Sequence, residues 1–248
     1  CCGILIGLSN LMRPEAVITV IAILCYIIKN MIINKEIKKN IVIIVSFLLT
    51  YIIITTGTMG ILKQINLIPK DSREDLLWKF VCGLNYESKG RWNSEDLKLI
   101  YNKNLTYEER TQLEKELIAQ RLDELPNHIY TFKDKIKIYW SNFEYVWSFN
   151  YLNAQGNYEA YNKLVYIFNS YDTILWFFVL IMAVISVIRK QDQKSLLNII
   201  LIGTFIIYLL IEVQGRYSFY PQILLFIISS SGIEACTDKI KKGTLKNG

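Results

Sequence analysis

One histidine, four prolines and five cysteines are scattered through 248 residues. A lone imidazole, His128, excludes metal centres and catalytic arrays built on paired histidines. Four cysteines (Cys1, Cys2, Cys25 and Cys236) lie in apolar runs, and Cys82 stands alone between residues 62 and 165. That segment therefore has no internal disulfide, and the chain has no metal-type cysteine spacing. The phosphate-binding glycine loop, the G-x-S-x-G elbow, the H-E-x-x-H helix and the dinucleotide fingerprint are all missing, so no short motif announces a nucleotide-dependent or hydrolytic enzyme. Charge of one sign is not in large excess either. The formal net charge is +6, and segment 62–165 holds 15 basic and 15 acidic residues. The excess sits in three short clusters: Lys29/Lys35/Lys38/Lys39, Arg189/Lys190/Lys194 and Lys239/Lys241/Lys242/Lys246. Such clusters beside apolar runs mark cytoplasmic flanks by the positive-inside rule, not a nucleic-acid surface.

What the chain has in abundance is long apolar runs. Residues of hydrophobic type make up 52% of it, and they fall in blocks at 14–33, 41–61, 166–188, 196–213 and 219–236. Each block has about the length needed to cross the hydrocarbon core of a bilayer. A shorter run at 1–12 has no initiator methionine and no basic region ahead of it. It is expected to be the last part of a helix cut by the start of the chain, which then reads as the C-terminal part of a longer protein. The expected fold class is an all-α integral membrane protein. It has five complete transmembrane helices plus a truncated first one, and a mainly helical extracytoplasmic loop domain. The expected organisation is transmembrane helices at 1–61, the loop domain at 62–165, three transmembrane helices at 166–238 and a basic cytoplasmic tail at 239–248. Placing the three basic clusters in the cytoplasm brings Arg13-Pro14-Glu15 and Glu212…Arg216 to the same outer face.

The loop domain shows helix signals. Ser72-Arg-Glu-Asp75 opens an apolar segment at 76–84, Ser94-Glu-Asp precedes another at 97–101, and Thr106-Tyr-Glu-Glu109 is a capping box. The helix it starts is expected to run through Leu125 and to end at Pro126. His128 reads as a helix-start or surface residue. A further helix at 129–147 carries a stripe of Phe132, Ile136, Tyr139, Trp140 and Phe143, suited to a domain core, a membrane surface or a lipid carrier.

Two stretches stand out chemically. Glu212-Val-Gln-Gly-Arg216-Tyr217, with Pro221 beyond, separates two apolar runs with a carboxylate, an amide and a guanidinium. On a continuous helix Glu212 and Arg216 would pair at i,i+4 and close a hairpin; alternatively Gly215 loosens the turn and the stretch binds an anion. Arg13 at an outer helix end is either a snorkelling anchor or a second anion ligand, and Glu15 either compensates a helix dipole or serves the site. The stretch Gly83-Leu-Asn85 to Trp92-Asn93-Ser-Glu95-Asp96 mixes amides, carboxylates and an indole. It suits sugar contacts through Asn85, Trp92 and Asn93, or equally a glycine-punctuated turn with Asn and Ser caps.

Gly7-Leu-Ser-Asn-Leu-Met-Arg13-Pro-Glu15 and the late Glu212-Val-Gln-Gly-Arg216-Tyr217 turn, taken with Gly83–Asp96, resemble the membrane-embedded GT-C glycosyltransferases of the bacterial family-39, protein mannosyltransferase-like type. The resemblance implies a multi-helix protein of the bacterial plasma membrane. It implies transfer of a sugar from a polyprenyl-phosphate donor to a glycan, lipid or protein acceptor outside the cytoplasm. No nucleic acid is involved, no metal ligands are assigned and the metal requirement is open. The family's catalytic carboxylate sits in a loop that would precede Cys1, so no base is named here. Arg13 and Arg216 are expected to hold the lipid phosphate, with Tyr217, Glu212 and Glu15 assisting. Two other readings stand beside this one: a lipid-linked glycan transporter, which would place polar groups at mid-membrane, and a structural membrane protein whose loop binds a partner.

Overall fold

The computed structural model describes residues 1–12, 16–68, 76–102, 104–139, 150–189 and 195–244. Arg13, Pro14, Glu15, the expected cap at Ser72, the aromatics Trp140 and Phe143, and Lys190, Lys194 and Lys246 lie outside them. All regular structure among the described residues is helical: α1 Cys2–Met12, α2 Ala16–Asn34, α3 Ile37–Gln64, α4 Leu76–Gly83, α5 Ser94–Ile100, α6 Tyr107–His128, α7 Thr131–Tyr139, α8 Asn150–Ala154, α9 Tyr158–Ile188, α10 Ser195–Leu210 and α11 Phe219–Thr244. A 3-10 turn, Gly215–Ser218, leads into α11.

Four stretches are long and apolar enough to cross a membrane: Ala16–Asn34, Ile37–Gln64, Tyr158–Ile188 and Gly215–Lys239. The run at 196–213 was expected to be a fifth. Its helix, α10, has 16 residues, about 24 Å at 1.5 Å per residue, short of a bilayer core of about 30 Å. It stops at Leu210 because the next backbone leaves the helix for partners elsewhere. α9 shows the reverse departure. It begins eight residues before the apolar run, where the Asn157 side chain accepts a hydrogen bond from the Ala160 N–H.

Two compact units can be described separately. The first comprises 1–74 and 192–204. There α1 lies close against α3 through two glycines one helical turn apart. A Cβ on Gly3 would come within 2.9 Å of Thr50 Cβ, and one on Gly7 within 2.9 Å of Ile54 Cγ2. Small residues at this spacing let helix backbones approach, the usual basis of association in lipid. The Lys29 ammonium donates to Ser195 Oγ at 3.3 Å.

The second unit comprises 75–191 and 205–248. α9 packs on α11 along matched stripes at helical spacing: Trp176, Val179, Ala183 and Ser186 against Leu225, Ile228, Gly232 and Ala235, all buried. Gly232 is the point of closest approach, since a Cβ there would sit 1.9 Å from the Met182 carbonyl oxygen. Trp176 and Phe226 pack with ring centroids 5.0 Å apart. The outer faces carry exposed Ile174, Phe177 and Phe178, as lipid contact requires.

The helices between α3 and α9 follow local signals with two corrections. Thr106 and Glu109 form the expected capping box, with the Glu109 N–H donating to Thr106 Oγ1 and the Thr106 N–H to Glu109 Oε2. The helix does not end at Pro126 but continues to His128, because a proline in the final turn removes only one N–H bond there. His128 thus closes α6 rather than opening a helix, and its ring stacks on Tyr86 at 4.1 Å. α5 is capped by Asn93, whose side chain accepts from the Glu95 N–H at 2.7 Å.

Candidate functional site

The site is built where α10 ends. A helix leaves four carbonyls without intrahelical partners at its C-terminus, and α4 accounts for all of its own. Phe80 C=O accepts from the Leu84 N–H and Cys82 C=O from the Asn85 N–H. Val81 C=O accepts from Arg121, and Gly83 C=O from the Lys135 ammonium. The same ammonium donates to Leu209 C=O in the last turn of α10. One buried cation therefore closes two helix C-termini, the ends that carry partial negative charge. Tyr139, one turn further along α7, donates its hydroxyl to Tyr208 C=O at 2.7 Å.

The chain beyond Leu210 is held as firmly. The Glu212 N–H donates to Lys79 C=O at 2.7 Å and the Val213 N–H to Gly90 C=O at 2.8 Å. These bonds replace the helical ones that an extended α10 would make, which is the physical reason for its early end. Two glycines make the approach possible. A Cβ on Gly83 would lie 2.2 Å from the Leu210 carbonyl oxygen, and one on Gly90, at φ +78°, would lie 2.6 Å from Lys135 Cε and 3.0 Å from Val213 Cγ2. Left-handed backbone with no space for a side chain leaves only glycine at position 90.

The elbow from 211 to 218 is thus a rigid mount for its side chains. Tyr139, Tyr208 and Tyr217 form a row, with centroids 5.4 Å apart for the first pair and 5.9 Å for the second. Lys79 Nζ stands 5.9 Å over the Tyr217 ring and the Arg216 guanidinium 5.8 Å over it, within cation–π range. An apolar cleft opens beside the row between Ile136, Phe205, Leu209 and Pro221. Burial, helped by the Glu212 and Asp96 carboxylates, pushes the Cys82 thiol up to about 12, so it is inert near neutral pH. Burial lowers Lys135 to about 8. Burial, with Tyr208, Tyr217 and Glu212 nearby, holds the Tyr139 phenol far above its ordinary value.

The side chains of interest fall into three groups. Glu212, Arg216 and Tyr217 share the elbow: Tyr217 and Glu212 are buried and Arg216 is exposed. Because the helix ends at Leu210 and a 3-10 turn begins at Gly215, the i,i+4 geometry expected for Glu212 and Arg216 does not exist. Among the described residues they form no ion pair. Asn85 and Asn93 hold turn and cap positions. Asn85 Nδ2 donates to Asp96 Oδ2 at 2.8 Å and its Oδ1 accepts from the Ser88 N–H at 3.0 Å, while Asn93 caps α5. Trp92 is exposed beside them. Arg13 and Glu15 lie outside the described residues.

Sequence reasoning missed Lys79, Lys135, Tyr208 and the partly buried Asp96–Arg121 pair, whose guanidinium makes bonds of 2.7 and 3.1 Å to the two carboxylate oxygens. Tyr139 was visible only as part of an apolar stripe. Lys135, one position off that stripe, resembled any surface lysine. No group of three or more metal-ligating side chains gathers among the described residues. Comparison with protein-family models, curated proteins and solved structures returned no match.

Proposed function

We propose that this membrane protein is a glycosyltransferase that moves a sugar from a polyprenyl-phosphate donor to an extracytoplasmic glycan, lipid or protein. The observation that carries the reading is Arg216. Its guanidinium is exposed, has no ion-pair partner among the described residues, and projects from an elbow pinned by two backbone hydrogen bonds at the start of a membrane-crossing helix. Guanidinium groups match phosphate oxygens with paired N–H donors. A fixed mount means that little reorganisation is required when charge builds on the leaving phosphate as the glycosidic C–O bond breaks. Lys79, on the same tyrosine ring, adds positive potential.

In this reading the chain has the topology drawn from its basic clusters, with a fifth crossing made by α10 together with the elbow. The helices of segment 62–165 lie outside the cytoplasm. The acceptor hydroxyl is deprotonated by a carboxylate to which no residue of this chain is assigned. Trp92, exposed at the rim of the Asn85–Asn93 turn, offers an aromatic face to a sugar ring.

The test uses the full chain in membranes, with transfer of radiolabelled sugar from polyprenyl-phosphate donors and binding of polyprenyl phosphate measured separately. Arg216→Lys should lower turnover at least about tenfold, one lost bidentate contact, while the protein stays in the membrane. Wild-type transfer in that variant, or phosphate binding unaffected by Arg216→Ala, would remove the assignment.

A further inference from the structure

Segment 75–130 and the elbow carry four described arginines. Two have packing roles: Arg121 binds Asp96, and Arg110 lies over the rings of Tyr101 and Tyr107 at 4.9 and 5.2 Å. The other two, Arg91 and Arg216, are exposed, and among the described residues their side chains make no hydrogen bond and no ion pair. The exposed carboxylates nearest Arg91 in the chain, Glu87 and Glu95, do not engage it, and Lys89 is held by Asp134 at 3.2 Å. The backbone of Arg91 is fixed from both sides: its N–H donates to Ser88 C=O at 3.1 Å, and its C=O accepts from Ser88 Oγ at 2.9 Å. Gly90, just before it, donates to Asn85 C=O at 2.9 Å and accepts from the Val213 N–H at 2.8 Å. That last bond ties the mount of Arg91 to the mount of Arg216. Measured through it and along residues 213–216, the two Cα atoms lie no more than about 18 Å apart. Two extended arginine side chains cover most of that span.

We propose that Arg91 is the second arm of the anion site, and that Arg91 and Arg216 together hold the two phosphates of a diphosphate diester. The choice of ligand follows from charge and oxygen count. A sugar joined to a lipid through a single phosphate is a phosphodiester, with one negative charge and two free oxygens, and one guanidinium fork satisfies both. A diphosphate link has two charges and twice as many free oxygens, which matches two forks. Two unpaired cations on mounts fixed to each other suit the second ligand, because neither has to be reorganised to meet it. The inference rests on the phosphate site proposed above at Arg216; the second phosphate and the role of Arg91 are its additions.

Two probes that differ only in the second phosphate test this on the full chain in nanodiscs: farnesyl methyl phosphate and P1-farnesyl P2-methyl diphosphate, each titrated calorimetrically. The diphosphate should bind at least about tenfold tighter, the effect of one further charge-assisted contact. Arg91→Ala and Arg91→Gln should both remove that preference and leave the monophosphate affinity as it was. Arg216→Ala should weaken both probes. Protection of Cys82 from alkylation reports that each variant keeps its fold. Equal affinity of the two probes in the wild-type protein overturns the two-armed site without recourse to any variant. A preference that survives both Arg91 substitutions overturns the role of Arg91. An equal loss for the two probes on replacing Arg91 overturns the assignment to a second phosphate. In each of these cases the phosphate reading at Arg216 stands as long as Arg216→Ala weakens the monophosphate. Binding of both probes that ignores Arg216→Ala removes that reading and this one with it.

Discussion

Gly83→Ala sets local propensity against tertiary packing. Gly83 is the last residue of α4, and alanine is favoured over glycine in a helix by about 1 kcal/mol. By that measure the variant is stabilised. The structure predicts the opposite. The added Cβ would meet the Leu210 carbonyl oxygen and the Ile211 carbonyl carbon, each at 2.2 Å. Ordinary contact needs roughly 1 Å more, and both neighbours are backbone. A shift of that size would stretch the Glu212 N–H to Lys79 C=O bond, now 2.7 Å, beyond hydrogen-bonding range. It would also strain the Lys135 bridge between Gly83 and Leu209. Overpacking of about 1–3 kcal/mol and two weakened bonds of about 1 kcal/mol each exceed the propensity gain. The expected result is net destabilisation of about 2–4 kcal/mol. Thermal unfolding in detergent measures it, and maleimide labelling of Cys82 at pH 8 reports whether α4 has left the elbow. A variant as stable as wild type, with Cys82 still protected, would refute the packing account of the elbow.

Asp96→Asn takes the carboxylate from the partly buried Arg121 guanidinium and should cost about 1.5–3 kcal/mol in chemical denaturation, the worth of a hydrogen bond to a charged group; an unchanged midpoint would contradict the pair. Gly232→Val should separate α9 from α11, since even a Cβ meets the Met182 carbonyl oxygen at 1.9 Å, and cysteine crosslinking between the two helices should fall. Stability should also vary with pH in a defined way. Lys135 has a folded value near 8 against an ordinary 10.5, so between those values the unfolded chain holds a proton that the folded chain has released, and stability rises with pH. Cys82 has a folded value near 12 against an ordinary 9.0, so above pH 9 the folded chain holds the extra proton and stability falls. The unfolding midpoint should rise from pH 8 to 9 and decline above 10.5, and Lys135→Met should abolish the rise.

Membrane character and most helix positions are determined by the sequence alone. Continuous apolar runs and the Thr106–Glu109 capping box are local: each depends on residues within one or two turns, so pattern and chemistry suffice. That the stretch around Glu212 and Arg216 interrupts the apolar runs was also legible, because charged groups are costly beside such runs. The helix end at Leu210 was not. Ile211, Glu212 and Val213 continue the apolar run well enough, and only the carbonyls of Lys79 and Gly90, more than a hundred residues away, draw their backbone out of the helix. The same holds for Lys135. Its position in the sequence is that of a solvated lysine, and its role as the shared cap of α4 and α10 exists only once two helix ends meet. Tertiary structure decides whatever depends on where long-range backbone partners fall, because hydrogen-bond satisfaction of buried carbonyls and amides is a property of the assembled fold and not of any one segment.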